Sequence, residues 1–173
     1  MANTYTLISS QTLSASAATV TFSSIPATYT DLAVKISART DVTNPDFMWR
    51  INGNTSSIYS DTQLEGDGTS PASYQDAAID KFRMQHIGEG SAATSNTFGN
   101  YELYFPNYAG ATNKVVSFYG VDENNSASSA NTIIVAGASL ALTTSAISQI
   151  SFFLNSGNFV SGSSFYLYGI KNS

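Results

Sequence analysis

Apolar and polar residues alternate with a period of two along most of this chain. Leu32, Val34, Ile36 and Ala38 alternate with Asp31, Ala33, Lys35, Ser37 and Arg39, the spacing of a strand with one buried face and one wet face. Phe47, Trp49 and Ile51 stand against Met48 and Arg50. Phe82 and Met84 oppose Lys81, Arg83 and Gln85, and Tyr101, Leu103 and Phe105 oppose Glu102 and Tyr104. The same period predicts strands over 4–13, 18–23, 57–63, 114–121, 132–142, 146–154 and 164–170. Turn dipeptides separate them: Ile25-Pro26, Asn52-Gly53, Asp67-Gly68, Ser156-Gly157 and Ser161-Gly162.

About ten short strands with no helical stretch between them predict an all-β antiparallel sandwich with little or no helix. A jelly-roll-like arrangement is the first choice. An immunoglobulin-like sandwich has the same periodicity, but its Cys–Trp–Cys hallmark is absent. The Gly-, Ser-, Ala- and Asp-rich stretches 65–80 and 88–97 are predicted to be long surface loops. No linker or internal repeat interrupts the chain, so residues 1–173 read as a single domain.

Composition sharpens this picture. Of the 173 residues, 42% are apolar, enough for a proper core, and only 11% are charged, against roughly 25% in an average soluble domain. Ser, Thr and Asn must therefore cover the surface, and these residues favour strands and turns over helix. The net charge is −5, and the seven basic residues are scattered. Phosphate binding needs clustered Lys and Arg, so nucleic acid is not an expected partner. No run approaches the length of a membrane span: the most apolar stretch, Thr132 to Leu142, is broken by Gly137 and Ser139. Met1-Ala2-Asn3-Thr4 lacks the basic and apolar regions of a secretion leader, so no signal peptide is expected.

The side chains offer little to catalysis. There is no cysteine and one histidine, His86, so thiolate chemistry and a usual zinc site are both excluded. A Ser-His-Asp triad is arithmetically possible, but no Gly-x-Ser-x-Gly elbow presents a nucleophile. Asp61, Glu65 and Asp67, or Asp122 with Glu123, are the carboxylates that glycoside hydrolysis would need. Acids in Gly-rich loops are more often solvated turn formers. Neither Glu65-Gly66-Asp67-Gly68 nor Asp122-Glu123-Asn124-Asn125 has the ligand spacing of an EF-hand. The expectation is a protein that is not an enzyme and holds no metal or cofactor. Exposed aromatics could instead form a platform for a glycan, with Trp49, Tyr59, Tyr74 and the 65–80 stretch as candidates; core packing is the commoner use of such residues.

One feature stands apart: from Ser126 to Ile170 there is no Asp, Glu, Lys or Arg. The strands of this segment are apolar on both parities, as in Ile133-Ile134-Val135, Phe152-Phe153 and Phe165-Tyr166-Leu167-Tyr168. Strands at a sheet centre, wet on one face through Ser, Thr and Tyr, satisfy this pattern. A subunit interface satisfies it too, since interfaces are poor in charge and rich in Tyr and Phe. Ile133, Val135, Phe153, Tyr166 and Tyr168 are the interface residues that this second reading selects.

Three segments carry a resemblance: Thr6–Leu32 (TLISSQTLSASAATVTFSSIPATYTDL), Asn100–Asn125 (NYELYFPNYAGATNKVVSFYGVDENN) and Asn155–Ile170 (NSGNFVSGSSFYLYGI). Collinear over nearly the whole chain, they resemble small virion structural proteins of tailed bacteriophages, cyanophages and other aquatic phages in particular. Trp49-Arg50-Ile51-Asn52-Gly53-Asn54 looks like that family's RFNGD-type strand and turn, with Asn54 where an Asp is common, so no metal is inferred there. The resemblance implies a jelly-roll-like component of the virion that decorates or cements the capsid surface. It implies a homotrimer, with the major capsid protein as partner. A tail or fibre accessory module, or a carbohydrate-binding module for host attachment, is the alternative. No catalytic residue transfers.

Overall fold

A computed structural model describes residues 4–85, 90–122 and 133–171, and among these it has twelve strands and no helix. In chain order they are β1 (Tyr5–Thr12), β2 (Thr19–Phe22), β3 (Asp31–Ala38), β4 (Phe47–Ile51), β5 (Tyr59–Gly66) and β6 (Pro71–Ile79). They continue as β7 (Phe82–Met84), β8 (Gly99–Phe105), β9 (Lys114–Asp122), β10 (Ile133–Ala141), β11 (Ile150–Leu154) and β12 (Ser164–Ile170). An eight-stranded sheet has the order β1-β12-β3-β8-β9-β10-β5-β6, and a four-stranded sheet the order β2-β11-β4-β7. Every pairing is antiparallel. The all-β antiparallel sandwich expected from the alternation is the observed fold.

The period-2 residues fill the space between the sheets. Leu32, Val34, Ile36, Leu103, Phe105, Phe118, Phe165 and Leu167 face inward from the large sheet, and Val20, Phe22, Phe47, Trp49, Ile51, Phe82 and Phe152 from the small one. Their rings form a continuous layer. Trp49 lies 5.4 Å from Phe82 and 5.6 Å from Phe118, while Tyr59 meets Phe82 edge-on at 4.7 Å. Phe47 stacks on Tyr101 at 5.0 Å, and Phe152 and Phe159 both contact Phe165. Such pairs contribute about 0.5–1.5 kcal/mol each beyond the area they bury.

Eleven strands lie where the periodicity places them, although β11 starts at Ile150 rather than at 146. The residues before it form a loop held by Asn52. Its Oδ1 accepts from the N–H groups of Ser148 (2.8 Å) and Gln149 (3.2 Å), and its Nδ2 donates to the Ala146 carbonyl at 2.8 Å. Asn52 and Gly53 both have left-handed backbone (φ 52° and 62°), which Asn and Gly adopt most readily.

The stretch 65–80 corrects the expectation of a long loop. It is the end of β5, a tight turn, and β6. In the turn, Asp67 Oδ1 accepts from the N–H groups of Thr69 and Ser70 and from Thr69 Oγ1, all within 2.8 Å. No residue of β6 is fully buried. An edge strand held by ladder hydrogen bonds carries little of the hydrophobic signal that reveals inner strands. Of the other predicted loop, residues 90–97 are irregular as expected.

Gly137 sits where β10 is squeezed between its neighbours. A Cβ there would lie 2.3 Å from Phe118 Cζ and 2.6 Å from the Thr62 carbonyl oxygen. We expect Gly137→Ala to cost about 1–3 kcal/mol through overpacking, read as a lower urea midpoint with an unchanged slope. An unchanged midpoint would contradict this packing of β9, β10 and β5.

Candidate functional site

Two clusters of functional groups stand out, one on the open face of the large sheet and one in the seam between the sheets. The open face is set by parity. β12 presents Tyr166 and Tyr168, β3 presents Lys35 and Ser37, and β8 presents Asn100, Glu102 and Tyr104, while their odd-even neighbours fill the core. Register then aligns them in rows. Tyr166, Lys35, Glu102, Tyr119, Ala136 and Leu64 lie side by side across six strands. The next row runs Leu7, Tyr168, Ala33, Tyr104, Ser117, Ala138 and Thr62.

Large apolar side chains collect here. Tyr5, Leu7, Leu64, Val115, Tyr119 and Ile134 are all close to half exposed or more, and all belong to this face. Across β9, β10 and β5, the residues Val121, Tyr119, Ile134, Ala136, Leu140 and Leu64 form an uncharged patch. Among the described residues, charge on the face is confined to Asp31, Lys35 and Glu102. Asp31 is buried at the rim, where it accepts from Tyr104 Oη at 2.8 Å and from the Asn107 N–H at 2.8 Å. Donating to that carboxylate raises the Tyr104 phenol above its usual range. Lys35 and Glu102 form an ion pair with each other, and both are half exposed. Between Tyr166 and Tyr119 the pair floors a cleft of about 330 Å³.

The structure separates the five residues selected as an interface from sequence. Tyr166 and Tyr168 are on the open face. Val135 is wholly buried within the chain, so its selection is corrected, and Ile133 is partly buried against the same core. Phe153 lies on the far side of the molecule, on the outer face of the small sheet, where the Arg50 guanidinium covers its ring at 4.8 Å. With both parities of β10 apolar, sequence alone could not choose between Ile133/Val135 and Ile134/Ala136. Gly137 was the available clue, since an inward glycine makes room for Phe118.

Two of the three aromatic residues proposed from sequence as a platform are also corrected, and the third, Tyr74, is half-buried on the edge strand β6. Trp49 and Tyr59 are core residues, exposed by 0% and 1%, and no glycan can reach them. His86 and Glu123 lie outside the described residues. Among the described residues, no group of three or more His, Asp or Glu side chains is placed to hold a metal ion.

Of the candidate carboxylates, Asp67 is in the exposed β5–β6 turn, Asp122 is buried on β9, where its Oδ1 accepts from Tyr101 Oη at 2.5 Å, and Asp61 lies in the seam. β7 is the edge of the small sheet, and side chains of β5 reach across to it: Gln63 Oε1 accepts from the Gln85 N–H at 3.0 Å. Asp61, one turn of the pleat away, is buried between Ser139 on β10 and Asp76 on β6, its register partners. Asp76 is held by Arg83, which also reaches Asp46, and by Gln85 Nε2 at 3.0 Å. Neither Asp61 oxygen has a hydrogen bond of good geometry. Burial first, and the Asp76 charge second, push the Asp61 carboxyl up to about 7, although the Arg83 charge and backbone N–H pull the other way. Asp67 moves oppositely, down to about 2, because three donors in its turn favour the carboxylate. Asp61 and Glu65 are four residues apart on one strand, about 13 Å at strand rise. Glycosidase pairs need roughly 5–9.5 Å, so these acids do not form one.

No family model matches the chain, and no curated protein matches it.

Asp61 makes stability depend on pH. Its folded value is raised, so between about pH 4 and pH 7 the folded chain holds a proton that the unfolded chain releases, and stability falls as pH rises through that window. Asp61→Asn removes this penalty. We expect the variant to exceed the parent by roughly 2–4 kcal/mol near pH 8, with the gain vanishing toward pH 4. Denaturation curves at the two pH values check it; an equal difference at both would show that Asp61 does not titrate as described.

Proposed function

We propose that this chain is a structural protein of the tailed-phage virion, a decoration or cement protein of the capsid surface that works by assembly. The observation that carries the proposal is the uncharged apolar patch of β9, β10 and β5 on the open sheet face, with Leu64 and Ile134 at 65% and 48% exposure. Monomers rarely leave a broad apolar patch in water, and covering it is the usual reason for its presence. The occupant we assign is a second copy of the chain. A patch without charge has no sign to match, so the apolar rows beside it on another copy complement it, a heterologous contact that three copies can close into a ring.

Two further observations support the reading. With β5, β6, β9 and β10 set aside, the other strands lie in the orders β1-β12-β3-β8 and β2-β11-β4-β7, which supports the jelly-roll-like reading. The resemblance to phage virion proteins, collinear over most of the sequence, names the same fold and a trimeric assembly. In this role the protein acts mechanically. Bound across neighbouring major capsid subunits, it stabilises the assembled shell because it has affinity for that state and not for free subunits.

Leu64→Glu with Ile134→Glu places like charges on the patch without touching the core. We expect sedimentation to show a trimer for the parent chain and a monomer for the double variant, and the variant to lose binding to purified capsids. A parent chain that sediments as a monomer and ignores capsids would overturn the proposal.

A further inference from the structure

Among the described residues of the open face, the Lys35–Glu102 pair is the one exposed charge, since Asp31 is buried at the rim. Half exposed, such a pair contributes little to stability, typically under about 1 kcal/mol. It sits at the middle of the face, on interior strands that need no charge to guard an edge. Around it the structure forms a cleft of about 330 Å³ with Tyr166 on one side, Tyr119 on the other, and Ser37 and Asn100 beside the pair. That volume lies at the small end of ligand sites. Tyr166 and Tyr119 stand three strand spacings apart, about 14 Å between Cα atoms. A second hollow of about 150 Å³, lined by Glu102, Tyr104, Ser117 and Tyr119, adjoins the first. Glu102 and Tyr119 therefore form the wall between two neighbouring hollows.

We infer that this double hollow is a binding site for a neutral saccharide, two adjacent sugar rings seated beside Tyr119. The chemistry selects this class. The two charges cancel, so neither an anion nor a cation is favoured. Lys35 offers donors and Glu102 acceptors, Asn100 and Ser37 offer both, and together they suit the alternating roles of vicinal hydroxyls. Tyrosine rings supply the apolar surface on which the C–H face of a sugar packs, with a polar tip left for water. An extended peptide adding as a strand is disfavoured, because the cleft crosses interior strands whose backbone groups are already paired. A purely apolar ligand would strand the ion pair in its floor.

The inference rests on the cleft; it shares Tyr119 with the margin of the assembly patch, whereas Ile134 and Leu64, which carry the assembly reading, lie one and two strands further along the face. The test is a titration followed by NMR, using glucose, galactose, N-acetylglucosamine and their β-linked disaccharides, beside a glycan array. We expect saturable binding, tighter for at least one disaccharide than for its monosaccharide. We expect Tyr119→Ala to weaken it by about tenfold or more, Glu102→Gln to weaken it less, and Tyr166→Phe, which keeps the ring, to leave it nearly intact. Because Tyr119 is half exposed, its truncation leaves the core untouched, and an unchanged unfolding curve verifies that. Leu64→Glu with Ile134→Glu should bind sugar like the parent, which separates failure of this site from failure of assembly. No binding of any of these sugars and a blank array, binding indifferent to Tyr119→Ala, or binding of anionic glycans alone would each overturn the inference.

Discussion

A sandwich needs both sheets to cover one another, and here one sheet has eight strands and the other four. The fold depends on how that mismatch is closed. The aromatic layer around Trp49, Phe82, Phe118 and Tyr59 joins β4 and β7 of the small sheet to β9 and β5 of the large one. It extends the shared core past the last strand that the small sheet can offer. Phe118 is central to this reach. It fills the space that Gly137 leaves open on β10, so the large sheet can press its ring against Trp49. The same layer explains why Trp49 is buried rather than displayed: its ring meets both Phe82 and Phe118.

Where the aromatic layer ends, polar groups take over. Beyond β7 lie strand edges whose N–H groups must find acceptors, and Gln63 supplies one for Gln85. Asp61, Asp76, Asp46 and Arg83 fill the rest of the seam. The arrangement closes the sandwich but leaves Asp61 buried beside a second carboxylate, with Arg83 committed mainly to Asp76. A seam of this kind is sensitive to protonation, whereas the aromatic layer beside it is not. Loosening on a pH change would therefore start at β5 and β7 and leave the β3–β8–β12 half intact.

How much of this the sequence disclosed follows from the same physics. Inner strands bury one parity completely, and β3, β4, β8 and β12 were legible residue by residue. β6 was not, because an edge strand without a buried residue has only its backbone ladder to hold it, and its Ser, Ala, Gln and Asp composition reads as loop. The charge-free segment was visible as a composition anomaly, and its strands β10, β11 and β12 are indeed interior to their sheets. Which parity faced out was legible in β12, where the tyrosines alternate with Phe165 and Leu167. It was illegible in β10, where Ile133, Ile134 and Val135 are interchangeable in hydrophobicity. The cleft of Tyr119 and Tyr166 was beyond reach, since its four strands are brought side by side only by the sheet order.

The open face has its character because charge is used up elsewhere. Arg50 and Lys81 share Asp80, and Arg83 holds Asp76 and Asp46. Arg39 donates to the carbonyls of Ala93, Thr94 and Thr97, and the buried Lys114 donates to those of Gly110 and Thr112. Lys171 lies over the Tyr29 ring at 5.8 Å. Six of the seven basic side chains thus serve loops, seams and the small sheet, and only Lys35 is placed on the broad face. A surface built this way has little long-range field to steer partners, so recognition must come from shape and contact at short range. Flat apolar rows suit a partner of equal flatness, while a single neutral ion pair between tyrosines suits a small polyhydroxylated one. These are different demands. The register of the eight-stranded sheet sets them side by side, with the apolar rows on β9, β10 and β5, the ion pair on β3 and β8, and Tyr119 at the border.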